Sequence, residues 1–567
     1  HYLLRQYARA RLGSDPEANQ RADDNHADFY GEMLNEAAGR MKGPEQLAAF
    51  DQVAADLDNI RAAWLWRVEQ RQFSSIIKQM LPGLMSFWLA RSGGTEMLPL
   101  VSRARAALES TLDESLDSEE LAIMLVYEAR SSYLGFNWRP MRRKIQQAWS
   151  IVDRLGSFQR YEDWLVLLAE SYTWEVDHIE GIGRLERLAE TARRSRETWG
   201  EAFTGLVLAE YQSDMGENRT AVETLTPALA IFEKLEDVAM QAHARRRLGS
   251  LLVKIGEFDE AERILLSGRD LFRTLSNRAG ETFILEELAE LYLQTGQFTQ
   301  AFFCFRERRE IALAMDHRRL VAESLHWESM QAARFGDPEA AMAMRLQSIE
   351  YAGALGDQVR LAWSTWELGE LLRLEGDFSA ARRRYDDARI LFEASDYPLG
   401  IGFYNRGLGD IALAAGDYET ARDRFERFLQ LAGPEAHIWG IAYALSGLGR
   451  VEVAQGNLDR ARRLFQDSFK RSYGIGSRDL SMLALYGLAA LLSAADEASQ
   501  AVELAAFVAH NHLSWHETKR LATTLLAKSS QQLPEESAKA TIERGRAHDL
   551  DTVIAEFGLE VKEAADG

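Results

Sequence analysis

Three histidines fall within seven residues in the string HNHLSWH, positions 510–516. If this stretch is helical, His512 and His516 stand four apart on one face and could ligate a metal, with His510 close by. The plainer reading is a set of surface or cap histidines, and the expectation is that no metal site is present. The single cysteine, Cys304, directly precedes Phe305 and has no evident activating base, so it reads as a packing residue. Two GIG strings, at 181–183 and 474–476, are isolated turns, too short to cradle a nucleotide. A phosphate-binding Gly-x4-Gly-Lys-Ser/Thr loop is absent from the sequence. No set of residues reads as catalytic, so neither an enzyme nor a bound cofactor is expected.

Composition narrows the remaining classes. The 567 residues carry a formal charge of −21, which disfavours a nucleic-acid surface because phosphates need clustered Lys and Arg. Hydrophobic residues at 46% are enough to build a core rather than a disordered chain. One cysteine excludes a disulfide framework and fits a reducing, cytoplasmic setting. No run of 18 apolar residues is present, so no membrane span is expected. The first residue is His1 rather than Met, and the chain is expected to be part of something longer.

What must position any binding residues is a repeat. LGRVEVAQGNLDRARRLF (448–465) is preceded forty residues earlier by LGDIALAAGDYETARDRF and forty before that by LGELLRLEGDFSAARRRY. Alanine recurs in step at 221, 261, 301, 341, 381, 421, 461 and 501. Twelve residues before each stands Ala, Gly or Ser, and five before each of the first seven stands glycine, from Gly216 to Gly456. Apolar residues before each glycine, such as Leu368, Leu371 and Leu372, have helical spacing. The glycine can end that helix in the left-handed conformation, and a following Asp or Asn can cap the next. Small residues let the two helices approach, and Phe305, Tyr385, Phe425 or Phe465 fills the space between them. One such pair cannot bury its apolar faces alone, so neighbours must stack. Weaker copies run back through LLAESYTWEVDHIEGIGRLERLA (167–189), with Gly181 in place of the alanine, to residue 81. That makes about eleven 40-residue units over 81–520, the last with Asp496 at the glycine position.

Small residues at the eighth and twentieth positions, an aromatic at the twenty-fourth and glycine at the turn resemble the tetratricopeptide repeat. The 40-residue unit, longer than the usual 34, is similar to the superhelical sensor of the bacterial maltose regulator and its relatives. These are STAND proteins, signal-transduction ATPases with numerous domains. HYLLRQYARARL (1–12) resembles the end of their winged-helix segment. HADFYGEML (26–34) and LDNIRAAWLWRVEQ (57–70) resemble the adaptor leading into the sensor. ATIERGRAHDLDTVIAEFG (540–558) resembles the closing helices. The resemblance implies an all-α, right-handed superhelical solenoid with an adaptor over 1–80, repeats over 81–520 and capping helices over 521–567. It further implies a monomeric sensor arm whose inner groove binds an inducer (small molecule, peptide or protein) to control an ATPase core in the full-length protein. No DNA-binding helix-turn-helix is evident after residue 560. The alternative is a constitutive scaffold for protein partners, although such a scaffold has no need of the adaptor.

In tetratricopeptide arrays the second, fifth, ninth and twelfth positions of the first helix point into the groove. By that rule, the second position supplies Phe203, His243, Phe283, Glu323, Trp363, Phe403 and Tyr443. The fifth supplies Arg246, Glu286, His326, Trp366 and Arg406, and the ninth Glu210, Glu290, Glu370, Asp410 and Arg450. Aromatic faces flanked by carboxylates and guanidinia suit a sugar, a peptide or a cationic group. The expected ligand contacts are Phe283, Glu290, His326, Trp363, Trp366, Glu370 and Arg406. One unit departs from the pattern: Glu328 replaces an apolar residue and Arg345 the aromatic, which suggests an ion pair between facing helices of that unit.

Overall fold

The computed structural model describes residues 15–91, 98–111, 118–134, 138–155, 198–432 and 437–559. The weaker repeat copy at 167–189, with its GIG string, and the segment HYLLRQYARARL lie outside the described residues. Among those residues all regular structure is helical and no strand occurs. The chain divides into two compact units, one ending at Leu291 and one beginning at Tyr292.

The forty-residue period is carried into the backbone. First helices begin at Thr198, Val238, Arg278, Arg318, Gln358, Pro398, Ile438 and Arg478. Second helices begin at Asn218, Phe258, Phe298, Pro338, Phe378, Tyr418, Leu458 and Ala498. Both series keep a spacing of forty, and the result is a tetratricopeptide-like array of packed helix pairs.

Each pair turns as the glycines foretold. Gly376 has φ 85°, and the next N–H, of Asp377, reaches back to the Leu372 carbonyl at 3.0 Å. This closes the helix C-terminus on its own orphan carbonyl. The Asp377 side chain then accepts from Ala380 N at 2.9 Å and opens the second helix. Asp337 and Asp417 cap in the same way, whereas Asn457 does not: its amide donates to Glu452 instead. Asp496 also takes the left-handed conformation, φ 63°, so the turn survives loss of its glycine. The turns between units show a second left-handed series that the sequence marks only at Gly356 and Gly476, because Glu236, Ser276, Asp316 and Asp396 occupy its other described places at φ 49° to 55°.

The aromatic at the twenty-fourth position does more than fill its own pair. A methyl group added at Gly369 would lie 2.6 Å from the Tyr385 ring, and one at Gly407, in the following unit, 2.7 Å from it. Gly409 and Gly447 enclose Phe425 in the same manner, at 2.9 and 2.6 Å. The ring is therefore seated between two glycines on two successive first helices, and it ties unit to unit as well as helix to helix. Tyr385, Phe425 and Phe465 are fully buried.

In the first unit, helices Pro16–Arg40, Gln46–Ala55, Leu57–Glu69 and Leu81–Arg91 precede the regular pairs. Gln46 ties this segment to the repeats: its amide donates to Asp237 at 2.8 Å and its carbonyl oxygen accepts from Ala239 N at 2.9 Å. The Asp237 carboxyl also accepts from the Trp199 indole at 2.8 Å, and burial raises its pKa. In the second unit, helices His516–Ser530, Glu535–Ala547 and Leu550–Glu556 follow the last pair. None of the described helices is long and apolar enough to cross a membrane.

Candidate functional site

The Glu328–Arg345 pair does not form, and the reason lies in which helices face each other. Glu328 is fully buried and is clamped by Arg309 of the preceding unit, at 2.6 Å to Nε and 3.0 Å to Nη2. Arg345, 2% exposed, donates to Glu367 of the following unit at 2.5 Å and to the His326 carbonyl at 3.2 Å. The twenty-fourth position meets the sixth position of the next first helix, so an arginine there finds its carboxylate one unit later. Burial raises the Glu328 carboxyl. Burial also pushes Glu367 up, but the Arg345 guanidinium and His326 outweigh it and its net shift is downward.

The inward columns of the next three first helices converge on one cluster in the second unit. Trp366, Glu370 and Arg373 come from helix Gln358–Leu374, Phe403, Arg406 and Asp410 from Pro398–Ala414, and Trp439 and Tyr443 from Ile438–Ala454. Arg406 sits at its centre, 2% exposed. Its guanidinium lies 4.2 Å from the Tyr443 ring, 4.5 Å from Trp366, 5.3 Å from Phe403 and 5.6 Å from Trp439. It donates to Glu370 at 2.9 Å. The aromatic cage expected to welcome a cationic group thus holds the chain's own arginine. Burial alone would lower Arg406, but Glu370 and its neighbours hold it above its usual value.

The other charges are packed around this centre. Tyr385 donates its hydroxyl to Glu370, and Arg373 donates to the same carboxylate at 3.3 Å. Arg373 is also bound by both oxygens of Glu517, at 3.0 and 3.2 Å, from a helix 144 residues further on. Burial would raise Glu517, yet Arg373 drives it down to about 2. Asp410 is 5% exposed, and its Oδ2 is enclosed without a hydrogen-bond partner. Burial pushes its carboxyl up to about 6 against the pull of Arg373 and Arg406.

Of the seven expected ligand contacts, Trp363, Trp366, Glu370 and Arg406 are brought together here. Trp366 is 5% exposed and gives its indole N–H to the Phe403 carbonyl at 3.0 Å. Trp363 is half-buried and packs edge-on against Trp366, at 6.0 Å, and Phe403, at 4.8 Å. Trp366 and Arg406 therefore make their contacts to the protein itself in this conformation. His326 stands apart, with its Nδ1 2.9 Å from Glu367 and 2.6 Å from Arg345. Phe283 and Glu290 belong to the first unit, where Phe283 has Arg246 5.6 Å from its ring and Glu290 is exposed. Asp410 and Tyr443 stood in the inward columns without being singled out. Arg373 occupies the twelfth position and was readable by the same rule. Nothing local marks Glu517.

The histidine string is not one helix. Residues 511–515 are non-helical, His510 ends the helix before them and His516 starts the next. His512 and His516 therefore do not share a helical face. Among the described residues, the one His/carboxylate group close enough to share a metal is Glu503, His548 and Glu556. Cys304 is buried, 8% exposed.

No family model matches the chain, and no curated protein matches it. Among solved structures it is similar to aspartyl phosphate phosphatase F from Bacillus subtilis, at 11% identity over 68% of this chain and 91% of that one, TM-score 0.43. It is also similar to a STAND protein with a tetratricopeptide repeat sensor from Pyrococcus horikoshii, at 12% identity, TM-score 0.40, over 70% of this chain and 58% of that one. A third is a Rap protein complexed with competence and sporulation factor, at 13% identity over 65% of this chain and 98% of that one, TM-score 0.41.

Proposed function

We propose that this chain is the sensing arm of a STAND-class ATPase and that it binds an inducer on the inner face of its second unit. The fold by itself is that of a helical-repeat interaction module. The observation that carries the finer reading is the cluster of Glu370, Arg373, Arg406 and Asp410 among Trp366, Trp439 and Tyr443. A passive array has no need to enclose two guanidinia and two carboxylates on its inward columns, since such groups stabilise no better than apolar packing. They offer directed hydrogen bonds instead, and the enclosed Asp410 Oδ2 is an acceptor without a donor. The adaptor-like strings HADFYGEML and LDNIRAAWLWRVEQ support attachment to an ATPase core.

The test is native mass spectrometry of the chain as purified from its producing cells, compared with the Arg406→Met and Asp410→Asn variants. The expected result is a discrete retained mass on the wild type that both variants lose. A phosphate-binding loop encoded upstream in the same reading frame is expected as well. The scaffold reading draws on the outward face, where Phe303, Leu346 and Ile390 are 49%, 51% and 58% exposed. A stable protein complex that survives both inner-face variants, with no retained small mass, would favour it.

A further inference from the structure

The inner face of the second unit already has an occupant. Between helices Ala498–His510 and His516–Ser530 the chain runs through five non-helical residues, with extended backbone at Asn511 (φ −68°, ψ 131°) and Trp515 (φ −62°, ψ 156°). Among the described residues, the short turns elsewhere in the array reverse on a left-handed residue; this one carries none. Instead it lies across the turn ends of units far back in the sequence. A methyl group added at Gly296 would meet His512 and Leu513 at 2.8 Å, and one at Gly336 would meet His516 at 3.3 Å. Trp515 lies 6.3 Å from Trp439 and 5.5 Å from the guanidinium of Arg334. Glu517 binds Arg373 with both oxygens.

Two arginines define what this surface recognises. Arg373 receives one carboxylate from its own helix, Glu370, and a forked pair of contacts from Glu517, the geometry that favours arginine for carboxylates. Arg334 packs 3.9 Å from the Phe298 ring and reaches Asp479 at 3.4 Å, while Trp515 covers it from the loop. The loop fills the site without completing it: the Trp515 indole N–H is buried and has no acceptor.

We propose that Trp515-His516-Glu517 is an internal stand-in for a ligand peptide, held in a docking site made by Arg334, Arg373 and Trp439. The partner is an acidic peptide segment carrying an aromatic residue two positions before a carboxylate, and it enters by displacing the loop 511–515 together with the first turn of helix His516–Ser530. This rests on the reading of the inner face as a ligand surface, and it adds the ligand's chemistry and the competitor that ligand must remove.

The experiment uses the whole chain and a blocked, fluorescent peptide with the sequence of residues 511–520. The Glu517→Gln chain is expected to bind it at least tenfold more tightly than the wild type. A control peptide with glutamine at the position of Glu517 is expected to bind at least tenfold more weakly, and Arg373→Met to abolish binding in either background. On the wild type, bound peptide is expected to raise amide exchange over 511–530. Trp515→Ala opens the same site from its apolar end and gives the same gain even where Glu517→Gln lowers stability. Equal affinity for wild type and both opened variants, with unchanged exchange over 511–530, would overturn the proposal, as would no binding to either opened variant. A ligand retained in native spectra without any change over 511–530 would remove the latch and leave the sensing reading intact. Peptide exchange in a chain that never retains a ligand would do the reverse.

Discussion

Two stretches of the second unit share one backbone period and are glued differently. Around Arg308 to Glu367 ion pairs join successive helix pairs, Arg308 with Glu323, Arg309 with Glu328 and Arg345 with Glu367, beside one ring pair, Phe305 stacked on Trp327. From Tyr385 to Phe465 the twenty-fourth position instead carries a ring seated between glycines, and an ion pair, Arg422 with the buried Glu452, joins successive units beside these rings. The substitution is positional, since Arg345 stands where Tyr385, Phe425 and Phe465 stand, and Glu367 where Gly407 and Gly447 stand. The array therefore asks only that positions twenty-four and six of consecutive units be complementary, by shape or by charge. The two solutions differ in tolerance. A ring on glycine loses contact area when altered, whereas a buried ion that loses its partner is left uncompensated.

The largest expected effect follows from that difference. Arg345→Met leaves Glu367 largely buried beside His326 without its cation, and should destabilise the second unit by about 3–5 kcal/mol. Installing the alternative solution, Arg345→Phe with Glu367→Gly, should recover most of that loss, because apolar replacement of a whole buried pair is often neutral or better. Urea unfolding of the wild type, the single and the double variant measures both. A double variant as unstable as Arg345→Met would break the claim that shape and charge are interchangeable here.

Next in size is the response of the inner cluster to pH, where two carboxylates work in opposite directions. Glu517 has a folded value depressed to about 2, so its contribution is complete above its ordinary 4.5 and is lost as pH falls toward 2. A shift of that size corresponds to roughly 3 kcal/mol. Asp410 is raised from 3.8 to about 6, so the folded state holds its proton more tightly. Its effect is most favourable below 3.8 and declines as pH rises through 6, again by roughly 3 kcal/mol. Unfolding midpoints measured across pH should lose the fall between pH 4 and 6 in Asp410→Asn, and the acid-side collapse below pH 4.5 should shrink in Glu517→Gln. Identical profiles for wild type and both variants would show that the cluster is not coupled to folding.

How much of this was legible follows from what each feature needs. The period was plain because glycine, alanine and aromatic residues each answer a local requirement and recur at fixed offsets. The left-handed turns between units were not, since Glu236, Ser276 and Asp396 carry no mark of a conformation imposed by the helices on either side. The inward columns correctly placed Trp366, Glu370 and Arg406 in one neighbourhood, because their projection depends only on position within a helix. They could not reveal that Arg406 fills the cage itself, which depends on side-chain reach between units. The partners of Glu328 and Arg345 were misread for a related reason: the sequence shows that two charges replace apolar residues, but only packing decides which helix each one faces. Glu517 reaches Arg373 across 144 residues, and no spacing rule in the repeat predicts that contact.

The smallest expected effect tests the eighth position, where the two stretches also differ. In the ionic unit this residue is Ser329, fully buried, with its hydroxyl donating to the Ala341 carbonyl at 2.8 Å. In the next unit it is Gly369, with the Tyr385 ring against it. Exchanging the solutions should hurt unequally. Gly369→Ser would force an added Cβ to within 2.6 Å of the ring, and overpacking of that kind typically costs about 1–3 kcal/mol. Ser329→Ala keeps the volume nearly constant and removes one hydrogen bond to a helix carbonyl, a loss of about 1 kcal/mol. If thermal unfolding ranks the two variants in the opposite order, the hydroxyl of Ser329 is structurally essential to the ionic interface, and the eighth position is governed by hydrogen bonding rather than by close approach.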